Sequence, residues 1–316
     1  MRQLIIRRLL QTIPMLIFVS IACFAMVKLA PGDPVLSFVT PNMHAEDIER
    51  IRHNLGLDKP AYVQYLIWIK EILSGNLGYS LINHQPVLDQ IVERLPATAG
   101  LMGVSIGLAF LLAIPLGLIA GANRNRWVDK LINLFSYIGI SVPLFWLAML
   151  LMYFFSVKLH WLPSMGMRTI GIHSVFDVIK HGILPCFVLA FGFLAVYVRY
   201  IRSSTIGQLK EDYVQIQYAF GSTKRTVLFR HVLKHVLLPV ITLLGMSLAD
   251  LVTGAIVTET VFSWPGIGSL GMTAVRGMDY PVIMGITLFS SVMLIVGNLV
   301  ADILYGIADP RIKTRG

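Results

Sequence analysis

Along this chain, apolar runs of membrane length alternate with short polar connectors that are mostly basic. Uncharged or nearly uncharged runs cover residues 9–27, 95–123, 131–157, 181–198 and 280–301. A sixth, 236–258, is interrupted by a single charge, Asp250. A helix needs about 20 predominantly apolar residues to cross the hydrocarbon core. The pattern therefore predicts six transmembrane helices and an all-α membrane protein.

Between the first two runs lies a long polar segment, 29–94. It opens with Pro31-Gly32-Asp33-Pro34, a run that forces turns. Asn42 can cap a short helix whose Ile48, Ile51 and Leu55 share a face, and Gly56 then stops it. Pro60 begins a second helical pattern, 62–73, which ends near Ser74-Gly75-Asn76. The prediction is a small helical outer insertion between helices 1 and 2, too short for an enzyme domain of its own. The chain then divides into 1–94 (first helix plus insertion), 95–306 (five helices with a polar segment at 199–236) and a tail, 307–316. No repeat of 20–50 residues or low-complexity segment stands out. Pro14, Pro115, Pro143 and Pro185 fall inside spans, where each removes a backbone donor and favours a kink.

Composition supports the membrane reading: 56% of residues are hydrophobic and 14% charged, against roughly a quarter charged in soluble domains. The charge distribution orients the bundle. With the N-terminus inside, pieces 1–8, 123–130, 199–236 and 307–316 carry +3, +2, +5 and +2. Pieces 29–94, 158–180 and 261–280 carry −3, +2 and 0. Lys and Arg thus gather on one side, which predicts cytoplasmic N- and C-termini. The net charge of +9 follows from topology and not from a nucleic-acid face, since the cations form no single basic surface with interleaved aromatics. Arg2, Arg7 and Arg8 before the first run also suit a secretory leader. The length of that run and the five later spans favour a retained helix. Cys23 and Cys186 fall within spans and suggest neither a disulfide framework nor a metal site.

The most distinctive stretch is 212–239, DYVQIQYAFGSTKRTVLFRHVLKHVLLP. Gly221 can end one helix and Ser222 can cap the next. Leu228, Phe229, Val232, Leu233 and Val236 fall in one arc at helical spacing, with Arg230, His231, Lys234 and His235 opposite. Lys224 and Arg225 lie in a first turn, where the helix dipole disfavours cations by about 0.3–1 kcal/mol each. That placement suggests an acidic partner, although plain enrichment of cations on the inner side would also produce it. His231 and His235 have spacing at which two imidazoles can share a metal. The general-base Glu of a metalloprotease helix is missing, and no carboxylate lies on that helix, so a basic docking or lipid-headgroup face is the better reading.

From end to end the chain resembles the permease subunit of a binding-protein-dependent ABC importer, of the dipeptide/oligopeptide/nickel type. The resemblance rests on PGDP at 31–34, LGLDKP at 55–60, RLPAT at 94–98 and SVPLFW at 141–146. It continues through RSSTIGQLKEDYV at 202–214, ETVFSWPGIG at 259–268, DYPV at 279–282 and DPRI at 309–312. It implies a type I ABC importer transmembrane fold. It also implies that the Gly221-centred segment couples to an ATPase, two short helices entering a groove of that subunit. Asp212, Tyr213, Ala219, Gly221, His231 and Pro239 match the coupling motif; Gln217 stands where Ala is usual. With Lys224, Arg225 and Arg230 on its polar side, this segment is the candidate coupling site.

The partners implied are a second homologous permease, two ABC ATPase subunits, an extracytoplasmic substrate-binding protein and membrane lipid. No nucleic acid is implied. The chain has no phosphate-cradling G-x-x-x-x-G-K-[ST] run, so ATP and Mg are expected on the ATPase subunits, and no catalytic site or cofactor is expected here. Asp250, about 21 Å along a helix starting near residue 236, either lines the translocation path or packs at a subunit interface. Glu259 is expected to anchor the Trp264-Pro265-Gly266 turn, and Asp302 to pair with a nearby cation. The resemblance implies peptide import by alternating access across a bacterial cell membrane, with nickel or a metal chelate as the alternative cargo. A secondary transporter would show inverted repeats, and none is evident.

Overall fold

The computed structural model describes residues 2–29, 43–54, 56–237, 240, 247 and 256–308. Several expectations fall outside that set: the PGDP turn, the Asn42 cap, Leu55, Pro239, Asp250, the DPRI segment and most of span 236–258. The side chain of Asp302 also lies outside it.

The described residues are helical, apart from loops and one isolated antiparallel bridge, Tyr79–Pro86. Helix α1 is Arg2–Leu29, and the insertion carries α2 (Ala45–Asn54) and α3 (Ala61–Leu73). Gly56, in left-handed conformation at φ 66°, closes α2 as its position suggests. Helices α4 (Val87–Ala122) and α7 (Val175–Gln208) are long and apolar enough to span a bilayer, and so is the last helix, α12 (Tyr280–Ala308), over Tyr280–Val300.

The third run differs from a simple span. Helices α5 (Trp127–Ser141) and α6 (Leu144–Met152) meet at 97°. Proline clashes with a helical residue before it, and Val142 is accordingly extended, at φ −82° and ψ 123°. Pro143 then starts the new helix, which continues as a π turn, Tyr153–Lys158. The prolines inside α1, α4 and α7 leave those helices unbroken.

The centre of the bundle is α4 laid beside α7, running in the same direction. Contacts climb in parallel, from Leu101 with Cys186 to Gly117 with Ile201 and Gly121 with Thr205. Gly117 and Gly121 form a G-x-x-x-G pair. A Cβ on either would lie 2.6 Å from the Cβ of its α7 neighbour, so the approach requires glycine. Leu118, Val198, Ile201 and Val214 fill the core around it.

At the end where α4 begins, two tethers fix the chain. Ser80 Oγ donates to Asp279 Oδ2 at 2.5 Å and the Leu81 amide to Oδ1 at 3.1 Å, which ties the insertion to the start of α12. The second tether centres on Glu259, which is fully buried in α10 (Ile256–Val261). Thr98 Oγ1 donates to Glu259 Oε1 (2.8 Å), and the Ser269 amide in α11 (Ile267–Arg276) donates to Oε2 (3.0 Å). Thr98 also accepts from the Ile267 amide, and the Trp264 indole N–H donates to the Ala97 carbonyl. Glu259 therefore joins α10, α11 and α4, and its own carbonyl receives the Trp264 amide.

Candidate functional site: a helix–glycine–helix elbow

At the opposite end, α7 leads through a short turn into α8 (Asp212–Ala219). Helix α8 ends in a Schellman closure. The Gly221 amide donates to the Tyr218 carbonyl at 2.9 Å, and the Ser222 amide to the Gln217 carbonyl at 3.0 Å. This closure needs a left-handed residue after the C-cap, and Gly221 supplies it at φ 78°. Nothing lies within 4 Å of a Cβ placed on Gly221, so backbone conformation and not space selects glycine there. Gln217, the departure from the coupling motif, sits in this closure, and its side chain accepts from Ser222 Oγ at 3.4 Å.

The next helix is capped by Thr223 and not by Ser222. Thr223 Oγ1 accepts from the Thr226 amide, and Thr226 sits at the N3 position. Ser222 is occupied with Gln217. One turn, α9 (Lys224–Thr226), then passes into a π turn, Val227–Val232. Residues five apart share a face in a π turn, so Val227 joins Val232 in the core while Phe229 turns outward, 42% exposed. The expected apolar arc thus holds for Leu228, Val232 and Val236, which are buried, but not for Phe229.

The elbow is bound to the bundle along one side. Val214, Val227 and Val232 are fully buried, and the rings of Tyr213 and His235 lie 4.8 Å apart. Tyr213 Oη donates to Gln208 Oε1, and partial burial raises the phenol above its ordinary pKa. Its other side is open. Asp212, Ala219, Gly221, Lys224, Arg225 and Arg230 are exposed, and His231 is half-buried. Among them stand apolar groups that the sequence reading passed over: Phe220 at 82% exposure, with Ile216 and Tyr218 beside it in the chain. A large apolar side chain just before a helix-ending glycine, in a polar stretch, is the signal that marks Phe220. The surface is apolar at its tip and flanked by cations, so it suits a groove with a greasy floor and an acidic rim.

Behind the elbow, Arg202 near the end of α7 grips Asp129 at the start of α5. Arg202 Nε lies 2.5 Å from Asp129 Oδ1, and Nη2 lies 2.8 Å from Oδ2. Asp129 also accepts from the Asn125 amide and from Asn133 Nδ2. The Arg202 hydrogen bond, with these others, holds the Asp129 carboxyl below its ordinary pKa. The pair therefore ties the α4–α5 turn to the end of α7 that leads into the elbow.

An open cavity of ≈ 570 Å³ lies between α4 and α7 and is bordered by Leu101, Leu108, Cys186, Phe187 and Trp264. Among the described residues no charged side chain borders it.

Comparison with known proteins places these features in context. Residues 113–314 match the family model described as binding-protein-dependent transport system inner membrane component. Residues 1–102 match the N-terminal model of the same kind of membrane component. The chain is 41% identical over 311 residues to the oligopeptide transport system permease protein AppB of Bacillus subtilis, covering 98% of each chain. It is 38% identical over 309 residues to the glutathione transport system permease protein GsiC of Escherichia coli K12, again covering 98% of each. Among solved structures, inward-facing MetNI, a methionine ABC transporter, matches with a TM-score of 0.56. That alignment has 15% identity and covers 70% of this chain and 97% of the other. It reports a shared fold.

Proposed function

Because the chain belongs to the family of binding-protein-dependent transport system inner membrane components, we propose that it is the permease half of an ATP-driven peptide importer. The cargo class rests on its relatives, among them oligopeptide and glutathione permeases. The observation that carries the coupling role is the elbow: a braced helix–Gly221–helix unit with exposed Phe220 at its tip and Lys224, Arg225 and Arg230 around it.

In this reading the elbow sits on the cytoplasmic side, both termini are cytoplasmic, and a separate ATPase receives Phe220 in a groove. Asp212, Tyr213, Ala219, Gly221 and His231 shape or border that contact. ATP and Mg belong to two ATPase subunits, and a second, homologous permease completes the pathway. An extracytoplasmic binding protein delivers the cargo to the side of the insertion. Closure of the ATPases pulls the elbow, and the Arg202–Asp129 pair with the close α4–α7 contact moves the bundle end as one body. The pathway then alternates between its two openings. Asp250 is proposed to line that path and to favour cargo bearing an amine or a cation.

The reading is tested by uptake in proteoliposomes containing the permease pair, the ATPases and the binding protein. ATP-dependent entry of labelled di- or oligopeptides is the expected result, with slower entry for Asp250→Asn. Entry of a nickel chelate without any peptide entry would overturn the peptide assignment.

A further inference from the structure

Helix α3 (Ala61–Leu73) has no buried residue, although most of its side chains are apolar. One side meets α1. Tyr65 Oη and Ser20 Oγ share a hydrogen bond of 2.8 Å. Phe24 packs against Tyr65 and Trp68, with ring centroids 5.6 and 5.9 Å apart. Both α1 residues belong to the first apolar run, 9–27. At 1.5 Å per residue, Phe24 lies about 5 Å and Ser20 about 10 Å inside the end of that run. Helix α3 therefore rests against the apolar stretch of α1, Gln11–Met26, and not beyond its end.

The other side of α3 shows Tyr62 (69% exposed), Leu66 (61%), Ile67 (40%) and Leu73 (83%). With that stretch of α1 in the bilayer, α3 lies at the depth of the headgroup–acyl boundary. Phe18, Ile21 and Met26 of α1 are exposed as well. Composition agrees with that depth. Residues 61–69 carry no charge, and Tyr62, Tyr65 and Trp68 are of the kinds that gather at membrane–water boundaries. The charges of α3, Lys70 and Glu71, lie in its last turn, where a lysine stem can lie along lipid with its ammonium in water. Helix α2 differs in kind, with Glu46, Asp47, Glu49, Arg50 and Arg52 within ten residues.

We propose that α3 is an interfacial helix seated in the leaflet on the insertion side. Its Tyr62, Leu66, Ile67 and Leu73 face lipid, and Tyr65 and Trp68 set its depth against Ser20 and Phe24. Such helices sink about 5–10 Å into the headgroup–acyl boundary, which matches the depth of its α1 partners. The inference needs only the first span, not the cargo or the coupling role. It makes part of the insertion a membrane foot and leaves α2 and the 76–86 strap as its water-facing parts.

The test uses the full transporter in phosphatidylcholine nanodiscs, with Cys23 and Cys186 changed to Ala. Single cysteines, Leu66→Cys, Leu73→Cys, Arg50→Cys and Phe18→Cys, each carry a small fluorophore. Quenching by nitroxide-bearing lipid is compared with quenching by aqueous iodide. Labels at 66 and 73 are expected to behave like the label at 18, with lipid quenching at least about threefold above that at 50, as for a helix lying in the interface. Iodide should reach position 50 and spare 66 and 73. The proposal is overturned if iodide reaches 66 and 73 as it does 50, the result for a water-facing surface that awaits the binding protein. It is equally overturned if neither quencher reaches them, the result for a face covered by another subunit. Iodide quenching at 18 would remove the span itself, and the proposal with it.

Discussion

Changing Phe220 to Asp is expected to weaken association with the ATPase about thirtyfold or more and to cut ATP-driven uptake in step. Phe220 is 82% exposed, so it contributes little to the fold. Truncating an aromatic anchor at the centre of an interface typically costs 2 kcal/mol or more. A carboxylate there adds the desolvation of a charge facing an acidic rim. Folding should hardly change, because surface substitutions usually stay within about 0.5 kcal/mol. Pull-down titration of the ATPase against detergent-solubilised permease reads the first quantity, and proteoliposome uptake reads the second. Phe229→Asp should have a smaller effect, since Phe229 is 42% exposed and stands on the π turn behind the tip. Unchanged affinity in the Phe220 variant would remove it from the contact.

Glu259→Ala is expected to have the largest effect on stability, a loss of roughly 3–5 kcal/mol, the cost of breaking a buried polar network. The side chain is fully enclosed and receives Thr98 Oγ1 and the Ser269 amide. Removing it leaves a buried hydroxyl and a buried amide without acceptors and opens a cavity where α4, α10 and α11 meet. Glu259→Gln keeps the shape and one acceptor oxygen and should lose clearly less. Thermal unfolding in detergent, followed by the accessibility of the buried Cys23 to a thiol reagent in a Cys186→Ala background, measures both. Equal midpoints for the Ala variant and the parent chain would show that the network carries no stability.

The membrane character was legible because hydropathy of this size admits no other fold class, and the elbow because a glycine followed by a capping residue and an apolar arc is a local pattern. What escaped the sequence was set by geometry. Pro14, Pro115, Pro143 and Pro185 read alike, yet only the Pro143 region bends by 97°, with Val142 extended ahead of the ring. Phe229 was placed on the buried arc by a period of 3.6, and the π turn at Val227–Val232 moved it outward and brought Val227 in. Thr98 and Glu259 are 161 positions apart, and Asp129 and Arg202 are 73 apart, so no spacing rule could pair them. The Gly117–Gly121 pair was readable as G-x-x-x-G and would have located the α4–α7 contact. The insertion helices α2 and α3 lie within a residue or two of the stretches that the sequence predicts.

Under the proposed function, nucleotide-driven force enters the bundle at the elbow. The most direct measurement is uptake by the complete transporter, reconstituted with its binding protein, after the exposed Phe220, Lys224, Arg225 and Arg230 are together changed to Ala. Uptake should vanish while ATPase-free permease, purified in parallel, keeps its thermal midpoint within about 1 kcal/mol of stability, as exposed changes allow. Uptake at the parent rate would mean that force enters elsewhere.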